Sequence, residues 1–293
     1  MSHELPHELY DEIISYLWND KQTLFACSVA GRTLTIPSQK RLFSRIILPR
    51  PLQLDKYPTI SLQLGHSYSN FERMLGQSPH IAGYIECLQI IAPSRCRLEI
   101  SNMMDLDPWS NEEDSILLSC QPPFPKLKAV VVDYLGDWYT CPGLRSIIFP
   151  LLRLPSLVYV DLDPFPIPIL TQVIGDNVKH LRFRFCPEPS NILFRTLPPV
   201  PIYLESLYIT GVQSHPSFMR SDPNCRIKIN RLRKVVVNMR HDELVAHSMT
   251  WTLLQSCADT LEELTIVPSP GKLPALLNFD LPLRRLRSLR PGY

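Results

Sequence analysis

Apolar residues fall into two rhythms along the chain. Between Leu5 and Leu48 they recur at helical spacing. Leu9, Ile13, Ile14 and Leu17 share one face of a first helix, with Pro6 in its opening turn. Glu8, Asp11 and Glu12 lie near its start, where negative charge suits the helix dipole. Asn19-Asp20 breaks the rhythm, and Asp20 or Thr23 caps a second helix with Leu24, Phe25, Cys27, Ser28 and Val29. Pro37 and Ser38 open a third helical stretch through Leu42 and Phe43, followed by the extended run Ile46-Ile47-Leu48. From about residue 80 the order becomes apolar, two variable, apolar, one variable, apolar. It occurs at Ile85-Leu88-Ile90, Leu127-Val130-Val132, Leu157-Val160-Leu162, Val178-Leu181-Phe183, Leu204-Leu207-Ile209, Leu232-Val235-Val237 and Leu261-Leu264-Ile266, with a weaker echo at Leu283-Leu286.

After one long gap the starts recur roughly every 21–30 residues, close to the period of leucine-rich repeats. Each match predicts one strand whose last two apolar side chains face inward. Helical patterns fill several gaps: Phe71, Met74 and Leu75; Leu144, Ile147, Ile148, Leu151 and Leu152; Leu244, His247, Trp251 and Leu254. The prediction is an α/β chain, a helical unit over residues 1–50 and a solenoid over 51–293 with a curved parallel sheet inside. The usual Asn after each strand is mostly absent, Asn238 being the nearest match. The variable residues then face the concave side: Tyr159, Asp161 and Asp163; His180, Arg182 and Arg184; Ser206, Tyr208 and Thr210; Lys234 and Asn238; Glu263 and Thr265. Adjacent strands lie about 4.8 Å apart, so the two aspartates can meet the two arginines. These charges either pair laterally and recognise nothing, or form a mixed-sign face for a client, with Tyr159 and Tyr208 beside it.

The run from Leu5 to Leu48 resembles an F-box of the kind abundant in basidiomycete fungi. The resemblance rests on Leu5-Pro6, Glu8-Leu9, Ile13-Ile14, Leu17, Leu24, Cys27-Ser28-Val29, Arg32, Ser38, Leu42-Phe43 and Ile46. The remainder resembles the divergent leucine-rich body that commonly follows such a unit. The resemblance implies a three-helix F-box-like bundle that docks the Skp-type adaptor of a cullin-RING ubiquitin ligase. Leu5, Pro6, Leu9, Ile13, Ile14, Leu17 and Leu24 would carry the docking surface. Where family members often show Cys-Arg-x-Trp, this chain has Gly31-Arg32-Thr33-Leu34, which lacks the anchoring aromatic.

Composition narrows the picture. A net charge of +2 gives no electrostatic case for nucleic acid or anionic membrane as main partner. The 29 prolines are spread along the chain beside short apolar runs, punctuating many short elements. The eight cysteines form no CxxC motif, and the first twenty residues include Glu4, Glu8, Asp11 and Glu12, so reduced thiols in the cytoplasm or nucleus are expected. Apolar runs fall short of the roughly 20 residues of a membrane helix.

Candidate chemistry is sparse. His241 and His247 are six apart, whereas a helical zinc pair needs a spacing of four, so no metal site is expected. No nucleophile elbow, phosphate loop or dinucleotide fingerprint occurs, and neither cofactor nor catalysis is expected. Glu112, Glu113 and Asp114 read as a solvated helix start, and Arg284, Arg285, Arg287 and Arg290 as a polar terminal cap. The expected function is a non-catalytic substrate receptor with a protein client. The alternative is a ligase-independent scaffold whose first helices merely seal the repeats.

Overall fold

Each of the seven matches to the short apolar pattern leads into a strand of one parallel sheet. The computed structural model describes residues 5–49, 68–92, 124–134, 148–165, 170, 172–185, 200–210, 226–238, 243–267 and 283–291. Glu112–Asp114, Leu144, Ile147, His241, Cys96, Cys120, Cys141, Cys186 and Cys225 lie outside them. Among the described residues the sheet has nine strands: β1 (Arg45–Pro49), β2 (Cys87–Ala92), β3 (Ala129–Tyr134), β4 (Tyr159–Phe165), β5 (His180–Phe185), β7 (Ser206–Thr210), β9 (Lys234–Asn238), β10 (Glu263–Val267) and β11 (Ser288–Pro291). They lie side by side in chain order, every neighbouring pair parallel. Two short strands, β6 (Ile202–Tyr203) and β8 (Ile227–Lys228), form a small second sheet that the pattern did not predict.

The register explains why the pattern is needed. Leu88, Val130, Val160, Leu181, Leu207, Val235 and Leu264 align across the strands, and Ile90, Val132, Leu162, Phe183, Ile209, Val237 and Ile266 form a second row. All are buried, as are the leading residues Ile85, Leu127, Leu157, Val178, Leu204, Leu232 and Leu261. Each of those three-residue sets therefore fills one layer of a continuous core.

A turn precedes many of the strands, and Pro125 and Pro155 sit inside two of these turns. Leu127, Leu157, Leu232 and Leu286 donate their N–H to the carbonyls of Phe124, Leu154, Ile229 and Leu283. Leu283 thus occupies the turn position, and the expected echo shifts by one triplet: Leu286 leads and Leu289 enters the strand. The strands are tied at their starts by a recurring device. One carbonyl accepts two consecutive N–H groups from the next strand: Ser44 from Glu86 and Cys87, Glu86 from Lys128 and Ala129, and so on to Glu262 from Arg287 and Ser288.

The amino-terminal helices are α1 (His7–Ser15), α2 (Lys21–Ala30) and α3 (Arg32–Phe43). Asp20 caps α2, accepting from the Thr23 N–H at 3.0 Å and from its hydroxyl at 2.6 Å. The third helix starts earlier than Pro37. Gly31 O accepts from the N–H groups of Leu34 and Thr35, closing the first turn upstream of the proline. Pro37 then sits inside α3 at the loss of one helical hydrogen bond. Helix α3 packs against α1 and α2 and runs on into β1 after Ser44.

Before β2 come α4 (Tyr68–Gln77) and a 3-10 helix (Pro79–Tyr84), and before β10 comes α5 (Glu243–Cys257), all at or near predicted helical stretches. Phe71 of α4 stacks on Phe124 with ring centroids 6.4 Å apart, fixing α4 to the core.

Candidate functional site

Two surfaces collect the residues singled out by sequence. On α1 the side chains of Leu9 and Ile13 stand four residues apart, 41% and 50% exposed, and Leu5, just ahead of the helix, is 48% exposed. Pro6 is exposed beside them, and Leu17 is half-buried. Ile14 and Leu24 face inward at 1% exposure, where they join the helices to one another rather than offering a surface. Sequence reading missed Tyr16, Trp18, Phe25, Val29 and Ile36, all more than half exposed. The signal was present in α2, where Leu24, Phe25 and Val29 put apolar residues on more than one face.

The second surface is the outer face of the sheet, where alternate residues of β4, β5 and β7 point away from the core. Register places Tyr159, His180 and Ser206 in one row and Asp161, Arg182 and Tyr208 in the next. Tyr159 Oη lies 3.5 Å from Asp161 Oδ2, and Arg182 Nε lies 3.7 Å from the same oxygen. Arg182 also stacks over the Tyr208 ring, its Cζ 4.5 Å from the centroid. Arg184 Nε lies 3.0 Å from Asp163 Oδ1, beside that oxygen rather than along an aligned N–H, so the buried atom gains a charge neighbour but no hydrogen bond. His180 Nδ1 lies 2.8 Å from Ser206 Oγ. Asn238, expected on this face, is instead buried at the end of β9.

Burial is the main cause of the perturbed acids here. It pushes the Asp161 and Asp163 carboxyls above the usual carboxylate range. Arg182 and Arg184 oppose the rise, and Asp133 on β3 adds to it. Burial, and then the Asp161 charge, raise the Tyr159 hydroxyl as well.

Sequence reading also missed a run of ion pairs between neighbouring strands: Glu86 with Lys128 at 3.2 Å, Lys179 with Glu205 at 2.8 Å and Lys234 with Glu263 at 2.7 Å. The hydrogen bond from Lys179 holds Glu205 below the ordinary range, and Lys234 does the same for Glu263.

Among the described residues, no group of three or more His, Cys, Asp or Glu could hold a metal ion, and no helix is long and apolar enough to cross a membrane. Cys257 is buried, its thiol pushed up to about 12 by desolvation, while Cys27 and Cys87 are half-buried. Set against known proteins, the chain matches no protein-family model and no curated protein sequence.

Proposed function

We propose that the chain is a non-catalytic substrate receptor of a Skp/cullin/F-box type ubiquitin ligase, working in the cytoplasm or nucleus. In this reading residues 1–50 are a three-helix F-box-like bundle and residues 51–293 an irregular leucine-rich-repeat solenoid. The observation that carries it is the apolar exposure of the amino-terminal helices. Of the twelve exposed large hydrophobics among the described residues, Leu5, Leu9, Ile13, Tyr16, Trp18, Phe25, Val29 and Ile36 all lie in or beside these helices. Such a concentration of exposed apolar side chains in one short segment supports a partner site, and aromatic residues are favoured anchors.

The outer sheet face would hold the client, with Tyr159, Asp161, Asp163, His180, Arg182, Arg184 and Tyr208 in contact. Ubiquitin transfer would follow from proximity, with client lysines held at high local concentration near the charged conjugating enzyme. No bond chemistry is asked of this chain.

The alternative, a ligase-independent scaffold, is favoured by one observation: α3 leads into β1, the first strand of the sheet, and packs on the 3-10 helix before β2. One experiment separates the two. Co-purify the full chain with a Skp-type adaptor, and compare it with a variant carrying Leu9→Glu and Ile13→Glu. Capture by the wild type and its loss in the variant supports the receptor. Absence of capture by the wild type ends it in favour of the scaffold.

A further inference from the structure

The carbonyls that tie the strand starts belong to Ser44, Glu86, Lys128, Val158, Lys179, Glu205, Arg233 and Glu262, each just ahead of its own strand. The next group in that series is the carbonyl of Arg287, ahead of β11, and no described residue donates to it. Alternation along a parallel strand turns the N–H and C=O of Leu289 to the same open side. The inward row ends open as well. Its members from Leu88 to Leu264 are 2% exposed or less, whereas Leu289, paired with Leu264, is 50% exposed. The opposite edge is closed: Ile46 of β1, in the same row, packs against the core, and Leu48 is 1% exposed.

The charges at this edge specify what fits it. From β5 onward the residues that lead the strands alternate in sign: Lys179, Glu205, Arg233, Glu262 and Arg287. Neighbours in the series attract. Lys179 lies 2.8 Å from Glu205, Arg233 adds to the pull that Lys179 exerts on the Glu205 carboxyl, and Arg287 lies 3.9 Å from Glu262. Arg287 is still 80% exposed, and Arg284, Arg285 and Arg290 are exposed near it. The step that continues the alternation is a carboxylate. A second copy offering its own β11 would set arginines against arginines, and like charges across a strand pair repel. We propose that the free edge of β11 takes an extended acidic segment of another polypeptide as a further parallel strand. Two consecutive N–H groups of that segment meet the Arg287 carbonyl, with an acidic side chain facing Arg287. Two positions on, an apolar residue covers Leu289, and a second acidic residue follows opposite Arg290. Pro291 has no N–H to offer, so the added ladder stops there. This edge is separate from the outer sheet face and depends on no reading of the amino-terminal helices.

The test uses the full chain and short fluorescent peptides built on Glu-Ser-Leu-Glu between flanking Thr and Val residues. The comparators are a permuted peptide of the same composition and the Lys-Ser-Leu-Lys counterpart. Fluorescence polarisation is expected to show the Glu peptide binding at least about tenfold tighter than either comparator. A double variant, Arg287→Glu with Arg290→Glu, changes two exposed side chains, so its melting temperature should stay within a few degrees of the wild type. Its preference should turn to the Lys peptide. N-methylation of the two peptide amides that meet the Arg287 carbonyl should abolish binding. Equal binding of the Glu and permuted peptides, or an unchanged preference in the double variant, overturns the inference. Binding that survives N-methylation overturns strand addition, because charge attraction alone then accounts for it. Sedimentation of the chain by itself addresses the remaining occupant: self-association that Leu289→Asp abolishes assigns the edge to a second copy and overturns the acidic partner.

Discussion

Ile13 and Ile14 are neighbours in the chain and opposites in environment, 50% and 1% exposed. Replacing Ile14 by Ala removes buried methyl groups and leaves a cavity among the helices. Such a change costs about 2–5 kcal/mol, a large part of a domain stability of roughly 5–15 kcal/mol. Ile13→Glu acts on a side chain already half in water. At most half of the roughly 1.5–3 kcal/mol of a full burial is at stake, so no more than about 1.5 kcal/mol is expected. If Ile13 anchors a partner, its loss should instead appear in binding, where a hot-spot residue is worth about 2 kcal/mol or more, close to 30-fold. Urea unfolding gives the stability of each variant, and co-purification with the adaptor gives the binding. The expected result is crossed: Ile14→Ala shifts the unfolding midpoint strongly, while Ile13→Glu barely shifts it and abolishes capture. If Ile13→Glu proves as destabilising as Ile14→Ala, the outer face of α1 is sealed by the protein itself and no surface remains for a partner.

Two further outcomes test the sheet. Phe183, the largest fully buried side chain among the described residues, sits in the second apolar row. Phe183→Ala is expected to cost about 3–5 kcal/mol in urea unfolding, and a cost below about 1 kcal/mol would contradict the continuous core. On the outer face, Asp161 and Asp163 have folded pKa values above the ordinary 3.8, so their ionisation works against folding at neutral pH. An Asp161→Asn, Asp163→Asn double variant should therefore gain most over the wild type near pH 7. That gain should shrink as pH falls through the raised values toward 3.8, when wild-type carboxyls also become neutral. Melting curves at several pH values read this directly, and a gain that grows on acidification would reverse the assignment.

The sheet was legible because its signal is local. Each inward-facing set lies within six consecutive residues, and burial of both strand positions enforces the spacing. One match was overlooked. Phe43, Ile46 and Leu48 carry the same order, with all three packed in or against the core, but Phe43 ends a helix and Ile47 blurs the alternation. The outward face of α2 was hidden because Phe25 and Val29 share the helix with Leu24, and hydrophobicity alone does not say which residue turns inward. The pairing of Arg182 with Asp161 was anticipated, whereas its stacking on Tyr208 was not. That contact depends on the side chain leaning between strands joined through long connections. Asn238 was misplaced because strict alternation along β9 would turn it outward, whereas it is buried directly after the buried Val237.

The doubly shared carbonyls at the strand starts have a consequence for how this chain tolerates change. Alignment is imposed locally, where each strand begins, and owes nothing to the length of chain that returns from the previous one. Strand β2 ends at Ala92 and β3 begins at Ala129, whereas β4 ends at Phe165 and β5 begins at His180, yet both junctions are parallel and tied at the start in the same way. Because lengthening a loop adds only about 0.6 kcal/mol per doubling, the returns can be enlarged or exchanged while the face they frame keeps its spacing. The molecule can thus acquire new lateral decoration without surrendering the geometry of its central surface.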